Sequence, residues 1–124
     1  MSNENKTINQ WDELSLEERK IENAMDEATE MKRKIARIED EYEELFAHTT
    51  HLAERLDKFS KNESDRYLFE DIQWQIRQKQ KDVFHYLEDE KDTLQKELKE
   101  LEDRDNEIFY EKKKMLVEEE YDGN

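Results

Sequence analysis

The sequence predicts an all-α protein, an antiparallel hairpin of two long coiled-coil-like helices. Three observations predict it. There is no proline and a single glycine, Gly123, in 124 residues, so the residues that punctuate tight turns are nearly absent. Charged residues make up 46% of the chain and hydrophobic residues only 33%, too few for a thick globular core. Those apolar residues nevertheless recur at alternating steps of three and four, which lets a highly charged helix bury one stripe and leave the rest in water.

Residues 1–13 are polar apart from Ile8 and Trp11 and read as a flexible N-terminal arm. Ser15-Leu16-Glu17-Glu18 has the spacing of a capping box, so the first helix is expected to start there and run from about residue 15 to 58. Its a row is Leu14, Ile21, Ala28, Ile35, Tyr42, Thr49 and Leu56, and its d row is Ala24, Met31, Ile38, Leu45, Leu52 and Phe59. Met25, Phe46 and Ala53 fall at e and widen the stripe. A plain two-stranded seam buries chiefly a and d, so the extra width calls for a further helix, from a partner or from self-association, to complete a bundle.

Ser60-Lys61-Asn62-Glu63-Ser64-Asp65 gathers small polar capping residues where the stripe stops. The only turn is expected at about 60–64, with Ser60 or Ser64 as the cap. A second helix follows from about 65 to 118, making 14–118 one hairpin and 119–124 a disordered tail. Two frames run along it, offset by one residue near Val83 to Leu87, which is a stutter. Lys91, Asp105 and Lys112 thin its distal stripe.

The expected hairpin seam is therefore Ile21, Ala28, Met31, Ile35, Ile38, Tyr42, Leu45, Leu52 and Leu56 against Phe69, Ile72, Ile76, Val83, Leu87, Leu94, Leu101 and Ile108. A charge at Ile38 is expected to unfold the hairpin. Outside the seam, Tyr67 and Trp74 lie seven apart on the far face, an arrangement that suits an aromatic anchor for a partner. Phe109 and Tyr110 exceed what the seam needs. With Met25 and Phe46 they form the candidate partner-binding set.

Other functions lack support in the residues. A net charge of −15 opposes binding to nucleic acid or anionic lipid, which depends on clustered Lys and Arg. Cysteine is absent, so neither disulfides nor thiolate metal sites exist. No apolar run approaches the ~20 residues that span a bilayer, and Met1-Ser2-Asn3-Glu4-Asn5 lacks the regions of a cleavable signal peptide. The expected location is the cytoplasm, with co-export by a signal-peptide-independent route as the other course. His48 and His51 sit three apart in an acidic neighbourhood, but at flanking positions without the inward Glu-x-x-His pattern of metal bundles. No metal or cofactor is expected. No phosphate loop or nucleophile elbow is present, and the chain reads as a non-enzyme.

The segments Tyr42-Glu43-Glu44-Leu45-Phe46, Leu68-Phe69-Glu70-Asp71-Ile72, Leu101-Glu102-Asp103 and Ile108-Phe109-Tyr110-Glu111-Lys112-Lys113 resemble the small helical accessory proteins encoded beside LXG-domain toxins in Gram-positive type VII secretion loci. The resemblance implies a chaperone or targeting factor that binds the helical LXG domain of a toxin, often with a second small helical protein, and supports its export. Tyr86-Leu87-Glu88-Asp89-Glu90 fits a Tyr-x-x-x-Glu export signal in spacing but lies mid-helix, so a companion is expected to carry the signal. Two other readings stay open: a self-assembling coiled-coil scaffold or spacer, and an export chaperone of another secretion system.

Overall fold

The computed structural model describes the backbone of residues 3–122 and the side chains of residues 6–118. It contains two helices, α1 (Asn3–Asp57) and α2 (Glu63–Asp122), packed against each other as a hairpin. No described residue is in a strand.

Helix α1 starts about twelve residues before the capping-box position. Residues 3–14 hold no proline or glycine to stop a helix, and Trp11 and Leu14 are half-buried rather than free. The expected flexible arm is thus helical over its described part. Ser15 lies inside the helix, and its Oγ accepts a hydrogen bond from Lys112 Nζ at 2.7 Å. Glu18, the other half of the expected box, ion-pairs with the same ammonium. A spacing that resembles a helix start serves here as a cross-helix grip.

The turn is short and glycine-free, and among the described residues none has a positive φ. The end of α1 tightens through Phe59 N–H to Leu56 O at 3.0 Å and Ser60 N–H to Asp57 O at 3.1 Å. Ser60 Oγ also donates to Asp57 O, at 2.8 Å. These bonds satisfy carbonyls that a helix end leaves open. The cap of α2 is Asn62, not Ser60 or Ser64: its Oδ1 accepts from Asp65 N–H at 2.9 Å, the geometry of an N-cap. Arg55 in the last turn of α1 and Glu63 and Asp65 in the first turn of α2 suit the helix dipoles. Helix α2 continues to Asp122. Of the tail expected at 119–124, Gly123 and Asn124 lie outside the described residues.

The chain divides into two compact units, Met1–Met31 with Leu94–Asn124, and Lys32–Thr93. In the first, Ile21, Ala28, Leu94 and Ile108 are buried, and Ile108 is 0% exposed. Trp11, Leu14, Met25, Leu98, Leu101 and Met115 are half-buried around them. In the second, Ile35, Ala53 and Leu87 are buried, with Phe46, Phe69, Ile76, Val83 and Phe84 half-buried. The Phe46 ring lies 6.0 Å from that of Phe84 across the two helices.

Candidate functional site: the unpartnered face of α1

The pattern of burial shows which stripe of α1 meets α2. At 3.6 residues per turn, position e lies about 40° to one side of a, and d about 60° to the other. In the first unit the residues of α1 that lose exposure include Leu14, Ile21 and Ala28 at a, Trp11, Glu18 and Met25 at e, and Glu17 and Ala24 at d. In the second they are Ile35 at a, then Glu39, Phe46 and Ala53 at e. In the second unit the seam is a/e, not a/d; in the first, the d row is half-buried as far as Ala24 and exposed from Met31 onward.

Seven residues expected in that seam are exposed instead: Met31, Ile38, Tyr42, Leu45, Leu52 and Leu56 of α1, and Ile72 of α2. Leu45 is 55%, Leu52 57% and Phe59 76% exposed, against 5% for Ala53. The e row carries Ala53, buried, and Phe46, whose ring lies 6.0 Å from that of Phe84 on α2. Its charged members meet lysines of α2, Glu39 reaching Lys91 Nζ at 2.6 Å and Glu18 pairing with Lys112. These pairs lower the cost of turning the less apolar row towards α2. Lys91 and Lys112, which interrupt the apolar stripe of α2, supply the partners. Ile72 is exposed for the same geometric reason, because its neighbours Phe69, Gln73, Ile76 and Gln80 take the facing positions of α2.

Ile21, Ala28, Ile35, Leu87, Leu94 and Ile108 occupy the seam as read, buried, with Phe69, Ile76, Val83 and Leu101 half-buried beside them. Two members of the expected partner-binding set lie inside the hairpin: Met25 and Phe46 are half-buried, and Phe46 stacks on Tyr42 as well as touching Phe84. Tyr67, Trp74, Phe109 and Tyr110 are all more than half exposed. The Phe109 and Tyr110 rings meet edge-on at 5.6 Å, on α2 of the first unit.

The second unit thus carries an exposed row at seven-residue spacing: Ile38, Leu45, Leu52 and Phe59, with Tyr42 and Leu56 beside it. A row of this kind has the spacing of a coiled-coil seam without the partner helix that such a seam packs against.

The first unit carries the main polar cluster. Arg104 forks onto Glu17, with Nε 2.7 Å from Oε1 and Nη2 2.9 Å from Oε2, a bidentate geometry. Its Nη1 also donates to Glu107 at 3.0 Å and Glu111 at 3.3 Å. Lys112 sits 4.5 Å from the centre of the Trp11 ring, a cation–π contact. Arg104 was missed in the sequence because a single arginine on a helix with so many charges gives no signal of its partner.

The hydrogen bond from Arg104 holds the Glu17 carboxyl below its ordinary value, and Glu17 raises Arg104. Lys91 is raised, chiefly by its bond to Glu39. A depressed carboxyl stabilises the fold above its unfolded pKa and loses that contribution as pH falls through the folded one. Wild type should therefore melt above Glu17→Gln at neutral pH, and the gap should close as pH falls below 4.5, the ordinary value. The gap is modest because both groups are partly exposed. Thermal melts followed by circular dichroism at a series of pH values check this. The raised Lys91 works in the opposite sense: its contribution is present at neutral pH and lost only as pH rises through its folded pKa, above 10.5.

Among the described residues, no group of three or more His, Cys, Asp or Glu side chains is placed to hold a metal ion. His48, His51 and His85 are exposed. No described helix is long and apolar enough to cross a membrane.

Fold and surface together define a two-helix hairpin with an apolar row left uncovered. The chain belongs to a family described as "Protein of unknown function (DUF3958)", matched over residues 9–115. No curated protein and no solved structure matches it.

Proposed function

We propose that this protein is a non-catalytic binding module that takes a helix of another protein onto the exposed row of α1, and that its client is the helical LXG domain of a type VII secretion toxin. The observation that carries the binding reading is the row Ile38, Leu45 and Leu52, exposed in a helix whose neighbouring row already serves the hairpin, with exposed Phe59 just past the helix end. About four helical turns of apolar surface in register match the needs of helix-on-helix docking. The choice of client rests on the resemblance of residues 42–46, 68–72 and 108–113 to accessory proteins of LXG loci. In that role the protein covers apolar surface on the toxin before export and acts in the cytoplasm, with a second small helical protein as a further member of the complex.

Co-expression with an LXG protein from a neighbouring gene tests the proposal. The two should co-elute as a stable complex on gel filtration, and separate elution at micromolar concentration would reject the client. The same exposed row favours one rival, a self-assembling coiled coil. Sedimentation of the protein alone separates them: a monomer supports a foreign client, and a stable homo-oligomer that buries Leu45 and Leu52 supports the rival.

A further inference from the structure

A groove lies within the first unit. Ala24, Ala28 and Met31 of α1 and Leu94 and Leu101 of α2 floor this open groove, and Glu27, Glu97 and Glu100 form its rim. None of its lining residues is cationic. Lys96 and Lys99, the cations nearest along α2 to Glu97 and Glu100, lie outside the lining, and the guanidinium of Arg104, one turn beyond Glu100, is already taken by Glu17, Glu107 and Glu111. The rim glutamates thus stand without a counter-charge from the groove itself. The two alanines leave room for a close helix approach, since the distance between packed helices depends on the side chains at the contact.

We infer that this groove receives an amphipathic helix of a partner protein whose apolar stripe is flanked by Lys or Arg. Charge complementarity selects that occupant. A basic flank meets three carboxylates, whereas a second copy of this chain brings the same acidic rim against its own and is repelled. The apolar floor supplies the buried contact, and the rim sets which helices are accepted. The inference rests on the reading of the protein as a helix-binding module, and adds the sign of charge that the bound helix carries.

The test uses the full chain and two synthetic helical peptides. They share one Leu/Ala stripe at heptad spacing and differ only in flanks of Lys or Glu. Titration by calorimetry should show the Lys-flanked peptide bound and the Glu-flanked one not. Glu27→Lys with Glu97→Lys and Glu100→Lys should weaken the Lys-flanked peptide by about tenfold or more. The control Asp92→Lys, Glu102→Lys and Asp103→Lys makes the same change in net charge on exposed positions away from the groove and should cost less than about threefold. Equal loss in both variants would overturn the inference, because it would mean attraction to the net charge alone. Binding of both peptides alike, or of neither, would overturn it too. So would a wild-type homodimer that the groove reversal alone abolishes. The LXG protein, titrated against the same wild type, reports on the proposed client separately: its failure to bind with the Lys-flanked peptide still bound removes the client and leaves the groove.

Discussion

Ile108→Asp is expected to abolish the cooperative melting of the first unit. Ile108 is the one described large side chain with no exposed surface. Arg104 lies one turn before it and Lys112 one turn after it, and both reach across to α1, at Glu17 and at Ser15 with Glu18. A carboxylate at position 108 would be buried in the apolar seam, and Arg104 and Lys112 one turn away could meet it only by giving up the carboxylates they hold on α1; burying a charge on those terms costs several kcal/mol. That is comparable to the whole stability of a small domain. The gentler Ile108→Ala removes only apolar contact and should cost ~3 kcal/mol. Thermal and urea melts by circular dichroism check both, and Ile108→Asp melting like wild type would refute the burial assigned here.

Leu45→Asp combined with Leu52→Asp is expected to do the reverse: helicity and melting temperature stay close to those of wild type, and client binding is lost. Both side chains are more than half exposed, so in the free protein the new carboxylates remain in water and the hairpin loses little. In a docked complex they would be buried against an apolar stripe, the central positions of such an interface dominating its energy. A loss of ~4 kcal/mol or more is expected, about a thousandfold in Kd. Gel filtration with the client and melts of the free protein separate the two effects. For the same reason Ile38→Asp, which the a/d pattern expects to unfold the hairpin, should be tolerated in the free protein.

The helices were legible in the sequence because the absence of proline and the seven-residue apolar rows act locally, through sterics and periodicity. The seam was legible only in part. Periodicity tells which faces of a helix are apolar, and not which neighbour each face meets. The d row of α1 is the more apolar, and judged by residue type it belongs inside. Glu18 and Glu39 make the e row look wet, yet each finds a lysine, Lys112 and Lys91, on the opposite helix. Pairing between residues 52 and 94 positions apart leaves no local trace. The same holds for Arg104 with Glu17, and for the capture of Ser15 by Lys112. Tyr67 and Trp74 could be placed on an outer face because only their own helix phase was needed.

The absence of cysteine makes thiol labelling the most direct test of the face left open. Single substitutions Leu45→Cys, Leu52→Cys, Ile35→Cys and Ala53→Cys should be treated with a small thiol reagent in the native protein. The first two should react at nearly the rate of a free thiol, the last two many times more slowly, and a bound client helix should protect only the first pair. Fast labelling at Ala53→Cys together with protection at Leu45→Cys in the free protein would contradict the account.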